Sequence, residues 1–387
     1  MMRLRILHIV PILLSSWVCA QVDVRVVGQM PQELRENSGH VFYDGHLISH
    51  NDSGNEPVLY ALDTVGMAIS RRVTVSNAVN IDWEDISQDE DYFYVGDIGN
   101  YSGTRSDLAV YKILKEDFDQ SETVTAEIIN FQYEDQETFV DIGKSNWDAE
   151  SLTVIDDRLW IFTKQWIDEG TVAYSLPKAA GNQVARRETA YAVDGLITGA
   201  SFNEDTNDLV LVGYSNMLAP FLLRMKDVDT ASIFANEVER IPLDIGFGQV
   251  EAITSITAQR YFIGTEEFQR TTPAIALDPM LYSVQFKEDK DVNEETPEEG
   301  NAPDIDSGED RLILYGSYDS NVLYFNLDTD KAVMAQAIFD STGKMLRFQL
   351  GNDMGENAVD VTPFESGVYY LTFYLGDRIL SKAFITY

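Results

Sequence analysis

One cysteine stands in 387 residues, Cys19, and there are four histidines. Cys19 lies in the apolar stretch that ends at Ala20, so the residues after it are denied disulfides, thiol nucleophiles and thiolate-held metals. Basic residues are scarce too: 28 Lys and Arg face 64 Asp and Glu, a formal net charge of −36. Such a surface repels nucleic acid and anionic lipid and favours cations, and it also suits a soluble exported protein. No stretch after residue 20 approaches the roughly 18 apolar residues of a membrane helix. Runs with helical period are almost wholly missing, as are a Gly-x-Ser-x-Gly elbow and a Ser–His–Asp set. Nothing demands an oligomer, and a monomer is expected.

What is present begins with a short basic start, Met1 to Arg5, an apolar run from Ile6 to Val18, and Val18-Cys19-Ala20 before Gln21. This is the pattern of a secretory signal peptide over residues 1–20, with a lipidated Cys19 as the alternative. Cleavage would also remove Arg3 and Arg5, leaving the rest more acidic still. An exported protein, secreted or held at the cell surface, is expected.

From Val22 to Phe286 short strands follow one another, and one unit recurs five times about 45–65 residues apart, the mark of a β-propeller. A polar or acidic residue opens an apolar strand, a turn follows, and a second strand ends near Gly, Asp or Thr. The copies are Ser38–Val41 with Leu47–His50, Glu84–Ile86 with Tyr92–Gly96, Glu150–Val154 with Leu159–Thr163, Gly199–Phe202 with Leu209–Gly213, and Glu251–Thr254 with Tyr261–Gly264. Third and fourth strands are read at Leu108–Leu114 and Val124–Tyr133 in the second unit, and at Thr171–Ser175 and Glu188–Val193 in the third. The fifth unit shows three strands, while Val22–Gln29 is a spare strand whose pairing with the last unit would close the ring. Five blades are expected over residues 21–286. The long interval between Glu84 and Glu150 leaves room for a sixth. Residues 287–310, rich in Glu, Asp and Pro, read as a disordered acidic linker. Residues 311–387 read as a small β-sandwich of seven strands.

The opening residues of the innermost strands should ring one channel mouth: Ser38, Glu84, Glu150, Gly199 and Glu251, with Asp82 and Asp148 beside two of them. Three Glu on one narrow opening cannot all stay ionised unaided, so either their pKa values rise or a cation sits among them. Hard oxygen ligands suit Ca²⁺ or Mg²⁺. Loops after the second strands add Asn51-Asp52-Ser53-Gly54-Asn55 and Gly96-Asp97-Ile98-Gly99-Asn100, with Arg105 close behind. The expected metal ligands are therefore Asp52, Glu84, Asp97, Glu150 and Glu251. His50, which borders the acidic mouth, is the candidate proton carrier, and Lys164 and Arg105 the candidate anion-binding groups. His40 and His46 read as core or solvated residues, with a shared metal as the alternative. Trp83 and Trp147 read as filling between blades rather than stacking on a sugar. Lys164 is read as standing where other blades carry Asp97 or Glu266.

Two resemblances rest on these residues. His50-Asn51-Asp52-Ser53-Gly54-Asn55, Asp82-Trp83-Glu84-Asp85-Ile86, Gly96-Asp97-Ile98-Gly99-Asn100 with Arg105, and Trp147–Leu152 with Thr163-Lys164 resemble exported bacterial propellers related to the phytase-like esterase and SdiA-regulated groups. That resemblance implies the fold and a metal more than a reaction. Ile338–Lys344, Val359–Val361, Phe364–Leu371 and Lys382–Ile385 resemble the C-terminal sorting domain of the type IX secretion system of Bacteroidetes, although Tyr315-Gly316-Ser317-Tyr318 departs from the usual Tyr-Pro-Asn-Pro-like opening. It implies passage across the outer membrane through that machinery, with removal of residues 311–387 and a released or surface-attached product.

Two functions fit. One is a metal-dependent hydrolase of phosphate or carboxylate esters, with Ca²⁺ at the mouth polarising the substrate and Lys164 and Arg105 holding its anionic part. The other is a binding propeller with a structural Ca²⁺, gripping a glycan or a protein.

Overall fold

This computed structural model describes residues 22–141, 143–216, 218–246, 248–271, 274–287, 311–315, 322–329, 331, 333–340, 344–350, 358–364, 367–375 and 379–386. The expected signal peptide, most of the expected linker, and the turn residues Ser341-Thr342-Gly343 and Glu365-Ser366 lie outside the described residues. Contacts divide the chain into Met1–Phe268 with Leu277–Asp289, and Gln269–Ala276 with Lys290–Tyr387.

The first unit is a β-propeller of five antiparallel groups of strands. Blade one runs Asn37–Tyr43, His46–Asn51, Val58–Asp63 and Ala68–Val75; blade two runs Trp83–Gln88, Tyr92–Asp97, Leu108–Leu114 and Glu127–Tyr133. Blade three runs Ala149–Ile155, Arg158–Thr163, Gly170–Pro177 and Gly181–Ala192, and blade four Leu196–Asn203, Asp208–Tyr214, Pro220–Met225 and Val238–Pro242. Blade five takes Val250–Ser255, Arg260–Thr265 and Met280–Phe286 from its own stretch, and its outermost strand is Val22–Gln29, paired from Val22 opposite Phe286 to Gln29 opposite Met280. The five inner strands neighbour one another in a closed circuit, blade five meeting blade one. The spare first strand thus removes the sheet edge that closure would otherwise leave.

Burial follows the blade geometry. Inner and second strands are sandwiched face to face between neighbouring sheets, so they are apolar on both faces: Leu159, Trp160, Ile161 and Phe162 are all buried. Outer strands alternate, as in Glu127–Tyr133, where Ile129, Phe131 and Tyr133 are buried and Asn130 and Gln132 exposed. Trp83 is fully buried between blades one and two with Phe93, Tyr111 and Phe118, and Trp147 packs against the core shared by blades two and three. The Asp44-Gly45 turn that joins the first two strands has φ of 45° and 77°, the left-handed pair a two-residue hairpin requires.

Three local expectations need correction. Val124–Tyr133 is not one strand: Thr123–Val124 pairs in parallel with Thr74–Val75 of blade one before the chain returns to blade two as Glu127–Tyr133. That pairing caps the outer edge of blade one, reached through the short helix Lys115–Gln120, which the sequence reading had not placed. The last strand of blade three starts at Gly181 rather than Glu188, because its extra length pairs in parallel with Ile129–Tyr133 and ties blades two and three together. No strand stands between Tyr133 and Ala149 among the described residues, so that interval supplies no material for a further blade.

In the second unit Arg311–Tyr315, Val322–Asp328 and Ala358–Asp360 form one antiparallel sheet, and Met345–Leu350, Val333–Asp340, Gly367–Leu375 and Ile379–Thr386 another. The two share a core of Leu312, Phe325, Ile338, Leu371 and Phe373, which makes this a small β-sandwich.

Candidate metal centre at the channel mouth

Every inner hairpin carries a β-bulge at the same place. The register slips between Asn37 and Gly39, Trp83 and Asp85, Ala149 and Ser151, Ile197 and Gly199, and Val250 and Ala252. The residues left over are Ser38, Glu84, Glu150, Thr198 and Glu251. A bulge leaves its extra residue outside the ladder and re-aims it, so these five form the ring at the mouth. The position before each bulge pair supplies Glu36, Asp82, Asp148, Leu196 and Gln249; the position just after the second strand's paired residue supplies Asp52, Ile98, Lys164, Tyr214 and Glu266.

Two alignments made from sequence are corrected by this register. The blade-four ring residue is Thr198, not Gly199: its hydroxyl donates to the Val250 carbonyl of blade five. Gly199 opens no gap, since a Cβ there would come within 3.0 Å of Val212 and 3.2 Å of the Glu251 carbonyl. Lys164 stands level with Asp52 and Glu266, whereas Asp97 is level with Thr163. Ser38 behaves like Thr198, donating to the Glu84 carbonyl at 2.6 Å.

Carboxylates from blades one, two and three then converge. Oxygens of Asp52, Asp82 and Glu84 lie within 4.8 Å of one another, and so do oxygens of Glu84, Asp148 and Glu150. Glu84 belongs to both groups. The blade-one loop that carries Asp52 is held by Asn80, whose Nδ2 donates to the Asn51 carbonyl at 3.0 Å and the Asp52 carbonyl at 2.8 Å. Asp148 is fixed by the Asn100 amide at 2.6 Å and the Trp166 indole at 2.7 Å. Gly99 lies flat against the cluster: a Cβ there would sit 2.2 Å from Asp82 Oδ2 and 2.3 Å from Glu84 Oε1.

The charge balance is one-sided. Lys164 Nζ donates to Glu150 at 2.5 Å and lies 4.6 Å from the Trp166 ring centre and 5.2 Å from that of Tyr214. Burial alone would lower the pKa of Lys164, but Glu150, Tyr214 and Glu251 outweigh it and hold the ammonium. Glu251 receives Gln249 Nε2 at 3.2 Å, and its burial raises its pKa. Elsewhere burial, reinforced by like charges, pushes carboxyls upward: Asp82 to about 7, beside Asp52 and Asp148, and Glu266 to about 9, beside Glu251 and Asp52. Glu84 is raised well above the usual range by its burial and by Asp52 and Glu150. One ammonium cannot compensate this set, and the remaining deficit is what a bound divalent cation would supply.

Of the residues expected as ligands, Asp52, Glu84 and Glu150 are in the two oxygen groups. Glu251 adjoins them through Glu150. Asp97 stands outside both groups, its Oδ1 receiving Arg105 Nη1 at 2.8 Å and the Asp82 amide at 3.0 Å. Arg105 is held in turn by Asp97, the Gly99 carbonyl at 2.9 Å and Asp107 at 3.1 Å, while its buried Nη2 has no hydrogen-bond partner. His50 is fully buried, edge-on to Trp83 at 5.6 Å, and burial lowers its pKa to about 4, so the ring is neutral. Asp82 and Asp148 flanked the expected ligands in the sequence and prove to be in the cluster themselves. Gly99 and Asn80 gave no such signal.

No protein-family model matches the chain, and no curated protein matches it. Solved structures similar to it include the hydrazine synthase of Kuenenia stuttgartiensis, at 11% identity and a TM-score of 0.33, over 62% of this chain and 58% of that one. The PQQ-bound aldose sugar dehydrogenase of Streptomyces coelicolor matches at 11% identity and a TM-score of 0.38, over 69% and 99%. A Bacteroides thetaiotaomicron VPI-5482 protein of unknown function matches at 9% identity and a TM-score of 0.36, over 68% and 76%.

Proposed function

We propose that this is an exported binding propeller whose acidic mouth holds a divalent cation of the Ca²⁺ or Mg²⁺ kind. Asp52, Asp82, Glu84, Asp148 and Glu150 would hold it, and the observation that carries the reading is the pair of carboxylate groups that meet at Glu84 with one ammonium to balance them. The donor set fits such an ion. It is all oxygen, it comes from three blades, and Gly99 leaves it room that any side chain would fill. A cation there would tie blades one, two and three together across the channel mouth. Calorimetry of the full chain tests the site: Ca²⁺ should raise the melting temperature and a chelator reverse the rise. An unchanged melting temperature with no bound ion would leave the carboxyls protonated and structural.

A second reading, a metal-dependent ester hydrolase, has one observation in its favour. Asp52 and Asp82 are only partly buried, so the cluster faces outward where a substrate oxygen could approach. A bound cation would supply Lewis-acid polarisation of a phosphoryl or acyl oxygen. Against it, Lys164 is already engaged by Glu150, and Arg105 is held by Asp97 with only its buried Nη2 left without a partner. Turnover of a phosphate ester or lactone by the Ca²⁺-loaded protein, abolished in Glu150→Gln, would establish this reading over the first.

Export forms part of the proposal. It is supported by the signal-peptide pattern of residues 1–20 and by the sorting-domain resemblance of residues 311–387, which would engage type IX secretion machinery. Cell fractionation, with the amino terminus of the product sequenced, tests both.

A further inference from the structure

At the end of the channel away from the carboxylates lies a cavity of about 620 Å³, within the roughly 300–1,000 Å³ range of small-molecule sites. The two ends are separated by Asp85. This residue is fully buried, and its carboxylate accepts the amides of Ile86 and Leu152 at 2.8 Å each and that of Ala200 at 3.3 Å, so it reaches from blade two to blades three and four.

The register puts Ser87, Thr153, Ser201 and Thr254 at one level of four successive inner strands, and all four line the cavity. Three of these hydroxyls clasp the next blade as acceptors: Ser87 from the Val154 amide at 2.9 Å, Thr153 from Phe202 at 3.2 Å, and Ser201 from Ser255 at 3.0 Å. A hydroxyl that accepts from the backbone keeps its own hydrogen to donate. Gln88 adds the opposite polarity. Its Nε2 is spent on the Phe42 carbonyl at 2.9 Å, while its buried Oε1 has no partner.

Charge decides what kind of molecule could use these groups. Asp44, Glu90, Glu204 and Asp205 are exposed at the rim and would repel an anion. They do not converge as cation ligands, since among the described residues the only such groupings are those at the other mouth. Asp89, also in the lining, is taken by Lys178 at 2.9 Å and Tyr94 at 2.7 Å. The half-buried rings of Phe42 and Phe202 complete the wall. Among the described residues the one cation in the lining, Lys115, is buried and committed, its Nζ donating to the Asp89 carbonyl at 2.5 Å and lying over the Tyr43 and Phe93 rings. Donors and acceptors in number, carboxylates able to bridge neighbouring hydroxyls, and aromatic rings for an apolar sugar face together fit one class. We propose that this cavity binds a neutral saccharide, independently of the cation at the opposite mouth.

Saturation-transfer NMR and titration calorimetry on the full chain, with glucose and cellobiose as probes, test this. Magnetisation should pass to one of the sugars, and Thr254→Val and Asp205→Ala should each weaken its binding about two- to tenfold, the effect of one lost hydrogen bond. Asp205 is exposed, so its variant keeps the fold even if the buried Thr254 change does not. Three outcomes would overturn the proposal: transfer to neither sugar, affinity unchanged in the Asp205 variant, or displacement of the bound sugar by equimolar spermidine, which would mark a cation site.

Discussion

Glu84 and Thr198 hold the same β-bulge position two blades apart. The Glu84 carboxylate joins both oxygen groups at the mouth, while the Thr198 hydroxyl is consumed by the Val250 carbonyl. Blade four therefore clasps its neighbour where blade two offers a free carboxylate, and the acidic cluster is lopsided by construction.

Replacing Glu84 by Gln should weaken Ca²⁺ binding more than any other single change at the mouth, because this carboxylate serves both groups. The metal-free variant should melt above the metal-free parent near neutral pH, since the parent must take up a proton on the buried Glu84 carboxyl as it folds and the variant need not. Scanning calorimetry with and without Ca²⁺ reads both effects, and a lower metal-free melting temperature would contradict the account.

Gly99→Ala tests the close approach. The added methyl would overlap Asp82 and Glu84 oxygens that lie 2.2 and 2.3 Å from its position, so the loop or the carboxylates must shift. A cost of about 1–3 kcal/mol is expected, together with loss of the Ca²⁺-induced rise in melting temperature. Urea titration gives the first and calorimetry the second.

Cation binding should release protons. Asp82 sits near pKa 7 in the cation-free protein, and a cation favours the ionised form. Affinity for Ca²⁺ should therefore rise as pH climbs through 7, as Asp82 ionises, and Glu84 and Glu150, whose pKa values are raised too, add to the rise. Calorimetry in two buffers of different ionisation enthalpy counts the protons released; none released at pH 7 would refute the prediction.

His40 supplies an acid limb of a different origin. Burial, with a smaller contribution from His50, lowers its pKa from 6.5 to about 3, so the folded protein holds the ring neutral. The unfolded chain binds that proton more readily. Stability from this group is thus complete above pH 6.5 and is lost progressively as pH falls toward 3, by on the order of 4 kcal/mol in all. In His40→Gln the dependence of stability on pH between 6.5 and 4 should be shallower, as measured by denaturant titration; an identical slope would exclude His40 as its source.

The amino-acid sequence by itself determined the strand repeats, the closing role of Val22–Gln29, the sandwich beyond the acidic stretch and the recurrence of Glu84, Glu150 and Glu251, because period-two burial and repeated turns are local properties. It misaligned Gly199 with Thr198 and Asp97 with Lys164 by one residue, because a β-bulge adds a residue on one strand only and is visible only once that strand is paired. Tertiary structure alone decided that Asp97 is spent on Arg105 and Lys164 on Glu150, and that Asp82 and Asp148 meet Glu84. It also decided that Gly99 must be bare backbone. The meeting of Asp148 with Glu84 depends on a distance between blades two and three, set when the ring closes; the pairings within a blade depend on where the bulge and the following loop turn each side chain, which strand patterning does not encode.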